Sequence, residues 1–332
     1  MVKVLVVGGA GYIGSHTAIR LIEKGYDVVI ADNFSTSKEE RIGDIEKITG
    51  RITPYYNADV GNADDMDRIF SENDIGAVMH FAAYSLVGES MEKPLKYFGN
   101  NVCKTEKLLE SMIRAGVRNI IFSSSAAVYG ETGDKPVTED APLCPTNCYG
   151  ETKMIIEKML KWAEISGLRH VGLRYFNACG AHKSGLIGED HNPETHLIPI
   201  VLQTAAGKRD KLYIFGDDYP TRDGTCVRDY IHVDDLADAH IAAYEYLRAG
   251  GKCDVFNLGN GKGFTVKEIL TEARRITGKE IPAEIASRRA GDPAILTASS
   301  EKAERILGWK PIYREPSEII ETAWKWHSRE MA

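Results

Sequence analysis

The chain has 332 residues, of which 43% are hydrophobic and 27% are charged, a balance that is ordinary for a globular protein with a sizeable core. A formal net charge of −7 gives no general electrostatic basis for binding nucleic acid. The apolar runs are broken by glycine and are too short to cross a bilayer, and no signal peptide is expected before the first strand. We therefore expect neither a nucleic-acid partner nor membrane association.

Short apolar runs alternate with helical patterns in the first half of the chain. The predicted strands are 3–8, 27–32, 77–83, 119–125 and 170–177, and the clearest predicted helices are 15–25 and 104–116. Strands that alternate with helices indicate βαβ units, a parallel sheet and right-handed crossovers. After about residue 180 the pattern changes to mixed short elements, with late helices predicted at 266–278 and 316–330.

The fold class predicted from this order is α/β, a Rossmann-type doubly wound parallel sheet with a smaller C-terminal α/β substrate domain. Residues 1–178 are predicted to form an NAD-binding domain, to which later segments near 229–260 return, while residues 179–332 mainly bind the substrate. Ligands of open α/β sheets bind at the carboxyl ends of the strands, so the functional side chains are expected at that edge.

A glycine-rich turn follows the first strand and opens the first helix. In "VVGGAGYIGSH", Gly9, Gly11 and Gly14 match G-x-G-x-x-G, and Gly8, Gly11 and Gly14 match a variant of it. Such glycines permit a tight turn and close approach to a pyrophosphate, which the helix N-terminus also attracts. Asp32 ends the second strand 21 residues after Gly11. Its carboxylate is expected to bind the adenosine ribose and to repel a 2′-phosphate, which favours NAD over NADP. The alternative is a purely structural glycine turn with a surface aspartate.

Two further stretches carry side chains suited to acid–base chemistry. "IIFSSSAAVYG" ends a predicted buried strand with Ser123, Ser124 and Ser125, and "CYGETK" opens a helix with Tyr149 and Lys153 on one face. Polar strand ends and pairs four residues apart also occur without any function. Beside a dinucleotide site, however, Tyr149 is predicted to act as a general acid/base, and Lys153 to hold the cofactor ribose and stabilise the phenolate.

The electrostatic magnitude is adequate for this role of Lys153. Lowering the pKa of a phenol from about 10 to about 7 needs roughly 4 kcal/mol. A positive charge at about 4 Å, with an effective dielectric constant of about 20, supplies about that much, and an oxidised nicotinamide adds a second positive charge. We therefore predict that the pKa of Tyr149 is lowered toward the working pH.

The cysteines and histidines suggest neither disulfides nor a metal site. Six cysteines include no C-x-x-C pair, and a chain of this length needs no disulfide staples, so free thiols in a reducing cytoplasm are expected. His182, His191 and His196 lie close together in an irregular stretch but show no recognised ligand spacing, so no metal is expected.

With these motifs the chain resembles the extended short-chain dehydrogenase/reductase family, over nearly its whole length. The blocks "RYFN" (174–177) and "VRDYIHV" (227–233) are more specific than the glycine turn. The resemblance is closest to members that epimerise UDP-hexoses. It implies tightly bound NAD and interconversion of UDP-galactose and UDP-glucose through a 4-keto intermediate, in galactose metabolism, and leaves room for additional activity on UDP-N-acetylhexosamines. It also implies a cytoplasmic homodimer formed through helices near 90–114 and 149–163, although those faces could equally pack on the chain's own core.

The family's cofactor contacts can be carried over residue by residue. The resemblance implies an NAD site formed by Gly8, Gly11, Tyr12, Ile13, Gly14, Asp32, Asn33, Phe34, Ser35, Thr36, Ser37, Asp59, Val60, Phe81, Ala82, Ala83, Ser85, Asn100, Tyr149, Lys153 and Phe176.

The substrate contacts follow in the same way. The implied set comprises Ser125 and Tyr149 at the reacting sugar hydroxyl, Asn177 at the diphosphate-sugar, Tyr213, Ile214 and Phe215 around the uracil, Arg228 and Arg289 on the diphosphate, Asp292 at the uridine ribose, and His196 and Leu296 near the nucleotide and the sugar. The chemistry of arginine supports the diphosphate assignment apart from the resemblance, because the forked donors of a guanidinium group match phosphate oxygens.

The sequence departs from the family's common pattern at four of these positions. Ser85 stands where many members have a lysine that touches the cofactor, and Ala127 where a threonine is common. His196 replaces an asparagine that often meets the nucleotide, and Leu296 replaces a bulky tyrosine beside the sugar in some relatives. These departures change the contacts that the resemblance implies, but the catalytic pair is intact.

Three alternative functions were weighed. A 4,6-dehydratase of this family needs Asp-Glu after the serine or threonine, where this chain has Ala126 and Ala127. A plain NAD-dependent dehydrogenase would have to exchange its cofactor, which no motif excludes. A non-enzymatic NAD-binding protein would not need Tyr149, so the intact set of Tyr149, Lys153 and Ser125 favours an enzyme.

Overall fold

The computed structural model describes residues 2–130, 133, 135–289 and 293–329. The strands are β1 (Lys3–Val7), β2 (Val28–Asp32), β3 (Tyr55–Asn57), β4 (Ile75–His80), β5 (Asn119–Ser123), β6 (Arg169–Tyr175), β7 (Asn177–Cys179), β8 (Leu212–Phe215), β9 (Val227–Arg228), β10 (Tyr230–His232), β11 (Asp254–Leu258), β12 (Phe264–Thr265), β13 (Ala283–Ala286) and β14 (Ile295–Leu296). The helices are α1 (Tyr12–Glu23), α2 (Glu40–Thr49), α3 (Ala63–Glu72), α4 (Val87–Glu92), α5 (Pro94–Tyr97), α6 (Lys104–Ala115), α7 (Cys148–Ala163), α8 (Leu197–Ala205), α9 (Val233–Arg248), α10 (Val266–Thr277), α11 (Glu301–Leu307) and α12 (Pro316–His327).

A seven-stranded sheet forms the centre of the molecule, in the order β3-β2-β1-β4-β5-β6-β11. All of its pairings are parallel, and helices cover both faces. The predicted α/β fold with a doubly wound parallel sheet is therefore confirmed. Among its strands, β3 and β11 have no counterpart in the predicted set, because neither stands out as a separate apolar run in the sequence.

Side-chain alternation along the strands divides the core between the two faces of this sheet. In β1, Val4 and Val6 pack with α1, α2 and α9 on one face, while Leu5 and Val7 pack with α3, α6 and α7 on the other. All four side chains are buried. The sheet is thus covered on both sides, as parallel sheets require.

The later part of the chain forms short sheets and a separate hydrophobic cluster. β8 pairs with β13, β10 with β7, and β9 with both β12 and β14. Buried side chains of α8, α10 and α12 pack with residues of β8 in this cluster. No helix in the described part of the chain has the length and apolar character needed to span a bilayer.

A buried ion pair attaches α7 to the central sheet. The Glu157 carboxylate on α7 accepts hydrogen bonds from Arg174 Nε (2.9 Å) and Nη2 (2.5 Å) on β6, and from Ser124 Oγ (2.5 Å) after β5. Arg174 Nη1 also donates to the hydroxyl of Tyr129 (2.8 Å), which donates to Asn257 Oδ1 on β11 (2.6 Å). One network therefore connects α7 with three neighbouring strands.

Removing the carboxylate should destabilise the fold strongly. In Glu157→Ala the Arg174 guanidinium, whose side chain is 4% exposed, would stay buried without a counter-charge. We expect the free energy of unfolding to fall by about 3–5 kcal/mol, measured by urea denaturation. Glu280→Ala removes an exposed carboxylate after α10 and should alter the free energy of unfolding by less than about 0.5 kcal/mol. Equal stability of the two variants would contradict a structural role for the ion pair.

Candidate active site

A large cavity opens at the carboxyl edge of the central sheet. Its volume is about 1680 Å³, larger than the roughly 300–1,000 Å³ of a typical small-molecule pocket, so it has room for a dinucleotide and a second ligand. The predicted site residues that line it are Gly8, Gly11, Tyr12, Ile13, Gly14, Asp32, Asn33, Ser35, Thr36, Ser37, Val60, Phe81, Ala82, Ala83, Ser85, Asn100, Ser125, Tyr149, Lys153, Phe176, Asn177, His196, Tyr213, Phe215, Arg228, Arg289 and Leu296.

The glycine turn is shaped to approach a ligand closely. Gly8 has a positive φ of 78°, and a Cβ there would lie 2.6 Å from the backbone nitrogen of Ala82. A Cβ on Gly14 would lie 2.2 Å from the Gly8 carbonyl oxygen, so the helix could not pack against the turn. A Cβ on Gly11 would contact only that same oxygen, at 3.2 Å, and Gly11 lines the cavity. The N-terminus of α1 has no side-chain cap, which leaves its first N–H groups for phosphate oxygens. These features fit a pyrophosphate.

Asp32 connects the glycine turn to the loop after β2. Its Oδ2 accepts a hydrogen bond from the backbone N–H of Ala10 (2.9 Å), and its Oδ1 accepts bonds from the N–H of Phe34 and the hydroxyl of Ser37 (both 2.9 Å). The carboxylate also lines the cavity. It is therefore a fixed acceptor at the predicted ribose position, and Ser37 shows that a hydroxyl can donate to it.

Three of the predicted site residues that the structure describes, Phe34, Asp59 and Ile214, are not among those that line the cavity. Phe34 packs against Tyr55, and Asp59 accepts hydrogen bonds from Asn33 Nδ2 (2.9 Å) and Lys104 Nζ (2.6 Å). Ile214 is buried in the cluster beneath α8 and α10. Side chains alternate along β8, so Tyr213 and Phe215 face the cavity while Ile214 points to the core. Asp292 lies outside the described residues.

Tyr149 is held at the first turn of α7 by its backbone. Its N–H donates to Ser90 Oγ (3.1 Å), and its carbonyl oxygen accepts from Thr152 Oγ1 (2.7 Å). Asn147 caps the helix through a hydrogen bond from the N–H of Gly150 to its side chain (2.8 Å). These contacts leave the phenol facing the cavity, where it hydrogen-bonds the side chain of Ser125.

Lys153 lies one turn further along α7 and is almost completely buried, at 2% exposure. Its Nζ donates to the carbonyl oxygen of Ser123 at 2.7 Å and lies 5.7 Å from the centre of the Tyr149 ring. Tyr149 and Lys153 therefore lie on the same face of α7, as predicted. The ammonium is oriented by the end of β5.

The pKa of each member of this pair is shifted by removal from water. Desolvation raises the pKa of Tyr149 to about 12, against the opposing effect of its hydrogen bond with Ser125. Desolvation also lowers the pKa of Lys153 to about 7, which the charge of Glu157 partly counteracts. The protein's own groups therefore do not lower the pKa of Tyr149, because burial outweighs the interaction with Ser125. The lowered pKa stays a prediction for the protein with its oxidised cofactor bound.

The opposite wall of the cavity carries the predicted substrate groups. The Arg289 guanidinium lies over the ring of Phe215, 4.0 Å from its centre, and Asn177 Nδ2 donates to the carbonyl oxygen of Asp229 at 2.9 Å. Leu296 is half-buried and packs against a cluster that includes Ala126 and Met154. Cationic, aromatic and aliphatic groups therefore line this wall.

Sequence reasoning missed several residues that position these groups. The Ser123 hydroxyl hydrogen-bonds the Tyr175 hydroxyl at the cavity wall. Asn101 is fully buried, and its side chain accepts from the N–H of Tyr84 (2.9 Å) and donates to Thr152 Oγ1 (3.1 Å). Tyr175 lies inside the block "RYFN" and could have been found there, whereas the contacts of Asn101 depend on the fold.

Known proteins resemble this chain over its whole length. The model described as "NAD dependent epimerase/dehydratase family" matches residues 4–259. UDP-glucose 4-epimerase of Halalkalibacterium halodurans is 53% identical over 325 residues, which cover 98% of this chain and 95% of that protein. A crystal structure of UDP-glucose 4-epimerase from Stenotrophomonas maltophila, with bound NAD and formylated UDP-arabinopyranose, has a TM-score of 0.96 and 42% identity and covers 100% of this chain and 99% of its own. The crystal structure of UDP-glucose 4-epimerase from Bifidobacterium longum, in complex with NAD⁺ and UDP, has a TM-score of 0.94 and 41% identity, and the match covers 99% of each chain.

Proposed function

The chain belongs to the NAD-dependent epimerase/dehydratase family, and we propose that its large cavity is the active site of a UDP-glucose 4-epimerase. It is an isomerase that interconverts UDP-galactose and UDP-glucose with NAD as its cofactor. The observation that carries this function is the convergence of Tyr149, Ser125 and Lys153 on one cavity that also contains the glycine turn. We assign the cofactor to the part built on the seven-stranded sheet and the UDP-hexose mainly to residues after 179.

The NAD site is supported by the fit of the glycine turn and of Asp32 described above. We assign the pyrophosphate to the N–H groups that begin α1, the adenosine ribose to Asp32, and the other ribose to Lys153. When bound, NAD would supply a reversible hydride acceptor for C4 of the hexose. Gly14 permits this site by letting α1 approach the turn without a side chain between them.

Tyr149 is assigned as the group that removes the proton of the 4-hydroxyl and returns it. Ser125, which hydrogen-bonds the phenol, orients the sugar hydroxyl toward it. Since the protein's own groups raise the pKa of Tyr149 to about 12, the phenol is protonated at neutral pH until a positive charge is placed beside it. Lys153 cannot supply that charge fully, because burial lowers its pKa to about 7. Tyr149 and Lys153 therefore work as a pair with the cofactor's charge.

Inversion at C4 requires that the sugar present both faces to the same groups. A 4-keto intermediate that turns about its diphosphate link satisfies this requirement if the nucleotide stays anchored. Arg228 and Arg289 are assigned to the diphosphate, where guanidinium groups bind strongly, and both line the cavity. A dehydratase is disfavoured because the residues after Ser125 are Ala126 and Ala127, which have no acid or base.

A Tyr149→Phe variant tests the function most directly. Without the phenolic hydroxyl we expect turnover of UDP-galactose to fall by several orders of magnitude, while the fold and the bound NAD remain. Wild-type protein should form UDP-glucose with no added cofactor and without accumulating NADH. Tyr246→Phe removes a hydroxyl outside the cavity that accepts a hydrogen bond from the N–H of Lys252, and this variant should keep full activity. More than a tenth of wild-type turnover in Tyr149→Phe would remove this residue from acid–base catalysis.

The breadth of the sugar pocket is proposed to depend on Leu296. A leucine is smaller than the tyrosine found in some relatives, so it leaves room for an N-acetyl group at C2 of the hexose. Apolar contacts of this size discriminate by about 1–3 kcal/mol. We therefore propose weaker but measurable activity on UDP-N-acetylglucosamine or UDP-N-acetylgalactosamine.

A matched pair of Leu296 variants tests this pocket. Leu296→Tyr should suppress turnover of the acetylated sugars more than that of UDP-galactose, because its ring fills the space beside C2. Leu296→Met keeps the volume and should preserve the wild-type ratio of the two activities. Equal loss of both activities in Leu296→Tyr, or no acetylated turnover by wild type, would contradict the proposal.

We also propose that the chain forms a homodimer in the cytoplasm. α6 and α7 flank an apolar groove of about 340 Å³ that is lined by Leu109, Ile113, Ile155, Met159 and Trp162. Trp162 is 74% exposed, and a large exposed aromatic beside a groove is typical of an interface. Among the described residues the six cysteines form no disulfide.

Sedimentation velocity at micromolar concentration tests the dimer. Wild type should sediment as a dimer, and Trp162→Glu should shift toward monomer because a charge in an apolar interface is costly. Ile52→Glu changes a side chain that is 89% exposed elsewhere and should leave the dimer unchanged. A monomeric wild type would refute the assembly without affecting the assignment of the reaction.

A further inference from the structure

The loop between β7 and α8 gathers four metal-ligating side chains at the cavity wall. They are Glu189, His191, Glu194 and His196, here called the His–Glu cluster. One ligand atom from each lies within 4.8 Å of every other, and all four residues line the cavity. The sequence alone predicts no metal here, because the spacing E-x-H-x-x-E-x-H matches no recognised motif.

The distances within the cluster resemble the edges of a coordination tetrahedron. Glu189 Oε1 lies 3.1 Å from His191 Nδ1 and 2.6 Å from His196 Nδ1. The Glu194 carboxylate oxygens lie 3.9 Å from His191 Nδ1 and 3.5 Å from His196 Nδ1. Ligands about 2.0–2.2 Å from a tetrahedral Zn²⁺ are about 3.3–3.6 Å apart. Each imidazole thus presents one nitrogen to both carboxylates. The two His191 distances, 3.1 and 3.9 Å, lie on either side of this range. The distance from His196 to Glu194, 3.5 Å, lies within the range, and that to Glu189, 2.6 Å, is below it.

A carboxylate oxygen of Glu194 is a second, independent indication that the cluster binds an ion. Its Oε1 accepts hydrogen bonds from the backbone N–H groups of Thr195 and His196, both at 2.8 Å, so the loop fixes the carboxylate. Its Oε2 is buried and has no hydrogen-bond partner among the described residues, in a side chain that is only 2% exposed. Buried carboxylate oxygens are normally satisfied. This one faces His191 across the centre of the cluster.

We propose that the His–Glu cluster binds one divalent transition-metal ion of the Zn²⁺ type in tetrahedral geometry. Two imidazole nitrogens and two carboxylate oxygens suit Zn²⁺ better than Ca²⁺ or Mg²⁺, which take mainly oxygen ligands. Two carboxylates also neutralise the charge of the ion, which permits its burial. The competing arrangement is a metal-free one, in which Nδ1 of each histidine hydrogen-bonds the Glu189 carboxylate.

The proposed ion has a structural role, distinct from hydride and proton transfer. The ring of His191 meets the edge of the Tyr12 ring at the start of α1, with 6.1 Å between centres. The Glu189 carbonyl oxygen accepts a hydrogen bond from Trp326 Nε1 on α12 at 2.9 Å. A metal in the cluster therefore fixes the cavity wall between the cofactor turn and the C-terminal helix, and with it the position of His196.

Metal binding is measured directly, without reference to catalysis. Purified holoprotein is stripped with chelator, dialysed against micromolar Zn²⁺ and analysed for metal and NAD. Wild type should retain about one Zn²⁺ per chain, and His191→Gln and Glu194→Gln should retain at least tenfold less. His170→Gln removes a ligand from the other described group, which contains Glu164 and Cys253, and should retain the wild-type amount.

Cobalt spectroscopy of the wild type tests whether the His–Glu cluster binds a metal ion even if the variants fold poorly. Co²⁺ in the stripped protein should give the intense visible absorption of a tetrahedral site, and Zn²⁺ should displace it. Less than a tenth of an equivalent of Zn²⁺ in wild type, no such absorption, or metal loss only in His170→Gln would overturn the proposal. In each of those cases the epimerase assignment would stand, because its assays measure sugar turnover.

Discussion

The position of α7 against the central sheet is the constraint on which the active site depends. A single carboxylate, Glu157, holds this helix to the ends of β5 and β6 through Ser124 and Arg174. Tyr149 and Lys153 lie two turns and one turn before it on the same helix. Since the helix is rigid over that distance, the ion pair fixes where both side chains meet the cavity. The charge of Glu157 also partly offsets the cost of burying the lysine ammonium, so one group acts on both geometry and protonation.

Desolvation gives the site its chemical character. An exposed tyrosine and lysine four residues apart would influence each other weakly through water. Here burial acts on both side chains and disfavours the charged form of each. Because the protein's own groups favour a neutral phenol, the proposed proton removal by Tyr149 would need the positive charge that an oxidised cofactor brings. In that mechanism, proton removal is coupled to an occupied dinucleotide site.

Local patterns in the sequence were sufficient to predict the parallel sheet, the glycine turn and the pairing of Tyr149 with Lys153. Each depends on a short period or spacing that the fold preserves. The burial of Ile214 beneath α8 and α10 depends on packing between distant segments, which no local pattern encodes. The desolvation that raises the pKa of Tyr149 is likewise a property of the assembled cavity. His191 and His196 are close together in the sequence, but the His–Glu cluster was not predicted because its four side chains lie in an irregular loop, which contacts α1 and α12.

The edge strand β11 has a consequence for synthesis of the chain. It pairs with β6, whose last residue precedes it by almost eighty positions, so the ribosome releases the other six strands of the sheet well before their neighbour. During that interval β6 presents an unpaired backbone edge, the kind of surface that invites pairing with another nascent chain. Asn257 of β11 accepts the hydrogen bond of Tyr129, which in turn contacts Arg174. Arrival of the seventh strand thus both covers the unpaired edge of β6 and completes the polar network, so the sheet is closed only late in synthesis.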